Sequence, residues 1–266
     1  MTIAKALTIA GSDCGGGAGI QADLKSFQER DVFGMSVITV LTAQNTLGVH
    51  GVYPQTLEAI GAQIDAIFQD MGTDAVKTGM LFSDEIVHLV VEKLQQYKAK
   101  NIVVDPVMIA KGGAPLLQKQ AMDTVKSRLL PIATVITPNL PEACEILGLD
   151  SINTLEEMKK AAKALRELGP KYVVLKGGHL EGSNEAVDIL FDGEEYFYFT
   201  AKRIDTIHTH GTGCTFAAAI TAELAKGKSV HEAVGTAKQF IQAAIEESLC
   251  IGKGIGPTKH SAYRLR

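Results

Sequence analysis

His208-Thr-His-Gly-Thr-Gly-Cys-Thr-Phe-Ala-Ala-Ala219 is the stretch on which the reading of this chain turns. Gly211, Thr212 and Gly213 precede Cys214, and Thr215-Phe-Ala-Ala-Ala-Ile-Thr-Ala-Glu-Leu-Ala225 follows as a strong helix former with almost no charge. Glycines ahead of a helix let backbone N–H groups converge on one point, and the positive end of the helix dipole favours an anion there. A phosphate is the anion expected. Cys214 falls in the first turn, where the thiol pKa is expected to drop. The same residues also suit a plain glycine turn before a buried helix, with Cys214 as a small core side chain.

Upstream, Ala6 to Ala10 is a short apolar run ended by Gly11-Ser-Asp-Cys-Gly-Gly-Gly-Ala-Gly19. Residues 21–30 then read as an amphipathic helix, with Ile20, Leu24 and Phe27 on one face. Strand, glycine-rich loop and helix give the shape of a phosphate loop, but no Lys-Ser/Thr follows the glycines and no GxGxxG opens the helix. A turn that needs φ > 0 explains the glycines equally well. Met35 to Thr42 is β-branched and reads as a buried strand. Gln44 at its end can both donate and accept, as reading an aminopyrimidine edge requires, or be a solvated loop amide.

Residues 55–70 read as a helix, 75–81 as a strand end and 85–97 as an amphipathic helix. Asn101 to Met108 is an apolar strand carrying Asp105 at its end. A carboxylate there faces the crevice where parallel sheets bind ligands, unless Asp105 is only a turn residue before Pro106. Lys111-Gly-Gly113 reads as a mobile loop, 121–130 as a helix and 133–138 as the next strand. In Asn139-Leu-Pro-Glu142, Asn139 suits a helix cap and Pro141 the first turn, where an acid at Glu142 is mildly stabilising. Residues 155–168 form a charged amphipathic helix, and 171–179 a strand ending in Lys176 and two glycines. Residues 188–200 read as a hairpin around Asp192-Gly193. A long helix over 231–249 precedes a tail containing Gly254-Ile-Gly-Pro257. With no repeat or linker, the alternation of strands and helices predicts one α/β domain over residues 1–266 on a mostly parallel sheet.

The composition suits a soluble globular protein: 46% hydrophobic and 21% charged residues in a chain of 266. A net charge of -4 offers no basic surface for nucleic acid or an anionic membrane. The four cysteines, Cys14, Cys144, Cys214 and Cys250, lack metal-ligand spacing and read as free thiols in a reducing cytoplasm. No run approaches the roughly 20 apolar residues that span a bilayer, and the N-terminal apolar run is too short for a signal peptide.

Taken in order, Gly11 to Lys25, Ala43-Gln-Asn-Thr46, Lys77-Thr-Gly-Met80, Asp105-Pro-Val-Met108, Asn139-Leu-Pro-Glu142, Lys176-Gly-Gly178 and His210-Gly-Thr-Gly-Cys-Thr215 resemble the ribokinase-like kinases. Cysteine in place of the aspartate of Gly-x-Gly-Asp is the form seen in the hydroxymethylpyrimidine/phosphomethylpyrimidine kinases of thiamine synthesis. The resemblance implies a ribokinase-like domain with helices on both faces of its sheet. It implies two ATP-dependent reactions: phosphorylation of 4-amino-5-hydroxymethyl-2-methylpyrimidine, then of its monophosphate. By the same resemblance Cys214, Lys176, Gly211 and Gly213 are catalytic, with Cys214 as base. Gly11, Asp23, Gln44, Met80 and Val107 bind the pyrimidine, and Asn139, Lys176 and Thr212 bind ATP. Asp105 and Glu142 hold Mg²⁺, Glu142 through water, and the family is commonly homodimeric.

Pyridoxal/pyridoxine kinase is the competing reading, because members with the cysteine motif perform that reaction. Some of those carry a second cysteine where this chain has Ala110, and they lack the Ala-Gln-Asn-Thr segment that is intact here. A non-catalytic pyrimidine binder on the same fold is a third reading; Lys176, Glu142 and Cys214 argue against it, since a binder has no use for phosphate apparatus.

Overall fold

The computed structural model describes residues 3–108, 116–118, 120–178 and 185–266. Lys111-Gly-Gly113, Ala110 and the end of the 171–179 segment lie outside the described residues. Among the described residues nine strands form one sheet: β1 (Lys5–Asp13), β2 (Phe33–Asn45), β3 (Gly48–Pro54), β4 (Ala75–Thr78), β5 (Ile102–Val104), β6 (Val135–Ile136), β7 (Tyr172–Lys176), β8 (Glu185–Phe191) and β9 (Tyr196–Lys202). Their spatial order is β3-β2-β1-β4-β5-β6-β7-β8-β9. Strands β2, β1, β4, β5, β6 and β7 pair in parallel, while β3 and the β8–β9 hairpin add antiparallel edges.

The helices are α1 (Gly19–Glu29), α2 (Leu57–Ala66), α3 (Asp84–Gln96), α4 (Ala121–Thr124), α5 (Leu140–Leu147), α6 (Leu155–Glu167), α7 (Thr212–Ala225) and α8 (Val230–Glu246). Alternating side chains of the central strands feed two cores. Leu7, Ile9, Val76 and Val104 pack with α2, α3, α5 and α6 on one face. Ala75, Val103, Val135 and Val174 pack with α7 and α8 on the other. Every residue of α7 from Thr215 to Leu224 is buried, which its near-absence of charge permits. The single acid in that run, Glu223, is held by Arg30 at 2.7 Å and Lys226 at 2.8 Å.

Two features depart from the sequence reading. The sequence reading names no element between Gln44 and residue 55; there the chain turns at Thr46-Leu47 and returns as β3. Gly48 and Gly51 interrupt the period-two pattern that would have marked this strand. The helices expected over 55–70 and 121–130 each pass into a wider π-type turn, at Ile67–Met71 and Val125–Leu129. The hairpin at 188–200 forms as expected, with Asp192 Oδ1 accepting from the N–H groups of Glu194 and Glu195 at 2.8 and 2.7 Å.

Candidate active site

Parallel strands aim their C-terminal ends at one edge of the sheet, and the ends of β1, β2, β4, β5 and β7 meet the start of α7 there. A cleft of about 330 Å³ opens at this edge. It is lined by Gly11, Gln44, Met80, Val107, Asp105, Asn139, Glu142, Lys176, Gly211, Thr212, Gly213 and Cys214. Twelve side chains or backbones expected from sequence thus share one cavity. Asp23 does not line it. It lies fully buried on α1, accepting from Thr8 Oγ1 at 2.6 Å and Lys77 Nζ at 2.9 Å.

At one end of the cleft, Gly11 packs on Met80: a Cβ added to Gly11 would come within 3.2 Å of its sulfur. Gln44 is the penultimate residue of β2, half-buried, and its backbone N–H and C=O both meet the Cys14 thiol, at 3.4 and 3.2 Å. The glycine-rich loop is folded around Asp13. Its carboxylate accepts from the N–H groups of Gly15, Gly17 and Ala18 at 2.8, 3.0 and 2.8 Å, and meets His210 Nε2 at 2.8 Å. Burial works against the Asp13 charge, but His210 and these N–H groups outweigh it and hold the carboxyl below its ordinary pKa.

Against this loop, α7 starts from Gly211 with φ +81. A Cβ there would lie 1.7 Å from the Gly17 carbonyl oxygen, so the two glycine-containing loops touch backbone to backbone. Gly213 and Cys214 sit in the first turn, where a helix leaves N–H groups unused. Lys176 Nζ donates to Asp105 Oδ1 at 3.2 Å, and Thr137 Oγ1 donates to the same oxygen at 3.0 Å. Burial opposes the Lys176 charge, yet Asp105 and then Glu142 raise its pKa above the ordinary lysine value.

Glu142 and Asn139 form a reciprocal capping box on α5, each side chain accepting from the other's N–H at 2.8 Å. That cap accounts for both residue types locally and also fixes the Glu142 carboxylate at the cleft wall. Among the described residues no group of three or more His, Cys, Asp or Glu is arranged to hold a metal. Mg²⁺ keeps several waters and commonly takes one or two protein carboxylates plus phosphates, so Asp105 and Glu142 fit an ion that arrives with a nucleotide.

The structure corrects the expectation for the Cys214 thiol. Its pKa is not lowered; burial pushes it up to about 11. Lys77 and a backbone hydrogen bond at Gly19 pull it down, but burial with the charges of Asp23 and Asp105 outweighs them. Lys77 stands in the motif set, but the sequence reading gives it no role. It is fully buried on β4, and although burial opposes its charge, Asp23, Cys214 and Asp105 hold its pKa well above the ordinary lysine value. A lysine inside the apolar run Ala75-Val-Lys-Thr was its signal. Asp13 and His210 were likewise quoted without roles, being 197 positions apart in the chain.

The family model described as phosphomethylpyrimidine kinase matches residues 13–259. This chain belongs to that family. It is 54% identical over 264 residues to the hydroxymethylpyrimidine/phosphomethylpyrimidine kinase of Bacillus subtilis, covering 99% of this chain and 97% of the relative. It is also 49% identical over 267 residues to the pyridoxine kinase of the same organism, covering 100% of this chain and 98% of the relative. Among solved structures, an ADP complex of Bacillus subtilis pyridoxal kinase superimposes with a TM-score of 0.92 at 47% identity, over 100% of both chains. Among the described residues, no helix is long and apolar enough to cross a membrane. The chain is therefore a kinase on a ribokinase-like fold, and the family's kinase chemistry has a cleft in which to occur.

Proposed function

We propose that this chain transfers the terminal phosphoryl group of ATP to 4-amino-5-hydroxymethyl-2-methylpyrimidine and then to the resulting monophosphate, in the cytoplasm, for thiamine biosynthesis. The observation that carries the reading is that one cleft is lined by Gln44, by Lys176 and by Gly211–Cys214. Family membership at 54% identity to a pyrimidine kinase supports the choice of acceptor.

Phosphoryl transfer needs positioning and charge neutralisation more than covalent work. Gln44 recognises the aminopyrimidine edge, with Gly11, Met80 and Val107 shaping its pocket. Asp23 serves the acceptor from beneath, through Lys77. Lys176 and the N–H groups opening α7 take the phosphates, with Asn139 and Thr212 beside them. Asp105 and Glu142 hold Mg²⁺, which neutralises phosphate charge when bound.

Cys214 faces the hydroxymethyl group as a neutral thiol. A thiol with a pKa of about 11 is almost entirely protonated near neutral pH, so its role is to orient the hydroxyl. In a loose transition state the hydroxyl proton leaves late and passes to an oxygen of the transferred phosphoryl group. The second reaction, whose acceptor is already an anion, uses the same positioning.

A second acceptor reading, pyridoxal, is favoured by the 0.92 TM-score to a pyridoxal kinase. The intact Ala43-Gln-Asn-Thr46 segment favours the pyrimidine. A homodimer is proposed with the enzyme, since Leu41, Leu47 and Tyr53 are exposed along the β2–β3 hairpin; a monomeric mass by light scattering would contradict it. Phosphorus NMR on Mg-ATP mixed with the pyrimidine tests the main reading. A monophosphate followed by a diphosphate is expected, and ATP left intact refutes it.

A further inference from the structure

No step of the transfer uses residues 252–257, yet this segment is fastened both to the turn after Gln44 and to the residues that lead into Gly211. At the acceptor end it meets Thr46, two residues beyond Gln44 in the turn between β2 and β3. The Ile255 N–H donates to the Thr46 carbonyl at 2.8 Å, and the Gly254 N–H donates to Thr46 Oγ1 at 3.2 Å. At the phosphate end it meets the residues that lead into Gly211. The Gly256 N–H donates to His208 Nδ1 at 3.0 Å, the His210 N–H donates to the Gly256 carbonyl at 3.1 Å, and the Thr258 N–H donates to the His210 carbonyl at 3.3 Å.

The glycines of the segment are required by these approaches. A Cβ on Gly252, whose φ is +80, would stand 2.3 Å from Thr46 Oγ1, and one on Gly254 would stand 2.1 Å from the Thr46 carbonyl oxygen. A Cβ on Gly256 would stand 2.2 Å from the Leu249 carbonyl oxygen and 2.7 Å from His208 Nδ1. A tail that merely covered the surface would tolerate side chains at alternate positions. This one presses its backbone against both loops.

We propose that residues 252–257 are a strap that sets the Gln44 hairpin relative to the anion loop, and that Thr46 is a positioning residue for the acceptor. The proposal rests on the reading of Gln44 as the residue that recognises the acceptor. The two attachments differ in strength. His210 is held by the Gly256 carbonyl of the strap, by the Thr258 N–H just beyond it and by Asp13 through its ring, so the anion loop keeps its place without the hairpin. In the strap, the hairpin turn is gripped through Thr46 alone among the hydrogen bonds described above. Cutting the grip therefore loosens the acceptor end and leaves the phosphate end in place.

Thr46→Val removes the hydroxyl acceptor while keeping the branched shape, and Gly254→Ala lifts the strap from the Thr46 carbonyl. Thr46→Ser is the conservative control, and Gln44→Leu is run beside them. Steady-state kinetics with ATP and the pyrimidine, with thermal melting of each variant, give the readouts. For Thr46→Val and Gly254→Ala the acceptor KM should rise roughly tenfold or more, since small misplacements cost that much. The ATP KM should stay at the parent value in both, and the melting temperature of Thr46→Val within about 4 °C of the parent; Gly254→Ala loses more stability because its Cβ meets a backbone oxygen, and Thr46→Ser should restore the acceptor KM. An unchanged acceptor KM in both variants while Gln44→Leu raises it overturns the strap alone. Loss of both KM values together with melting temperature makes the segment merely structural and overturns it too. An unchanged acceptor KM in Gln44→Leu overturns the Gln44 reading and the strap's role with it.

Discussion

Alkylation of Cys214 separates a nucleophile activated by a helix terminus from a thiol kept protonated by its surroundings. The structure lifts the pKa from 9.0 to about 11, which lowers the thiolate fraction at pH 7.5 roughly a hundredfold relative to an ordinary cysteine. Intrinsic nucleophilicity rises with pKa, with a slope of about 0.4–0.5, so the remaining thiolate is about six- to tenfold more reactive. The net rate with iodoacetamide should then fall on the order of tenfold below that of a free thiol, before any steric hindrance from the cleft. Timed labelling followed by peptide mass spectrometry reads Cys214 beside Cys14 and Cys250, which are exposed in the same molecule. The logarithm of the Cys214 rate should climb about one unit per pH unit from 7 to 9 with no plateau. Bound pyrimidine should slow it further. Cys214 labelling faster than Cys14, with a plateau near neutral pH, would refute the raised pKa. The same chemistry limits Cys214→Ser to a loss of about tenfold or less in the first phosphorylation, because a 10²–10⁴-fold loss is the mark of a general base.

Gly211→Ala should reduce turnover by about 10²-fold or more, since its Cβ would lie 1.7 Å from the Gly17 carbonyl oxygen and displace the anion loop; near-parental kcat/KM for ATP would contradict the tight approach. Lys176→Ala should raise the ATP KM, and Glu142→Gln should raise the Mg²⁺ concentration needed for half-maximal rate; full activity in EDTA would remove the metal from the account. His260 is buried against Thr215 Oγ1 at 3.0 Å, and burial lowers its pKa from 6.5 to about 4. The unfolded chain binds a proton there that the native state refuses, so stability is present above pH 6.5 and is lost as pH falls toward 4. The contribution amounts to about 3 kcal/mol at most. Urea unfolding at pH 7.5 and 4.5 should show a smaller acid loss in His260→Gln than in the parent, and equal losses would contradict it.

Much of the fold was legible because its determinants are local. The run after Cys214, with Glu223 its one charge, marked a covered helix, and α7 is buried from Thr215 to Leu224. Strand ends carrying Asp105, Gln44 and Lys176 pointed to one sheet edge, because parallel strands share a direction. What stayed hidden depended on partners far apart in the chain. The rise in the Cys214 pKa comes from burial and from Asp23 and Asp105, set against Lys77, all brought beside it by different strands and helices. Sequence supplied the helix terminus and omitted the burial and the carboxylates that raise the thiol's pKa. The pairing of Asp13 with His210 could not be read for the same reason, and β3 was obscured where Gly48 and Gly51 break the alternation. Glu142 shows the opposite case: the Asn139 cap foreseen from Asn139-Leu-Pro-Glu142 is present, the Glu142 side chain adds a reciprocal bond the sequence reading did not include, and the metal role is left to be tested.

The identity of the acceptor is the central claim, and one competition tests it most directly. The hydroxymethylpyrimidine and pyridoxal are offered to the enzyme separately and together with Mg-ATP, and ADP release gives kcat/KM for each. The Gln44 end of the cleft predicts a higher kcat/KM for the pyrimidine, with pyridoxal consumed more slowly in the mixture. A higher kcat/KM for pyridoxal would contradict the account and assign the chain to vitamin B6 phosphorylation.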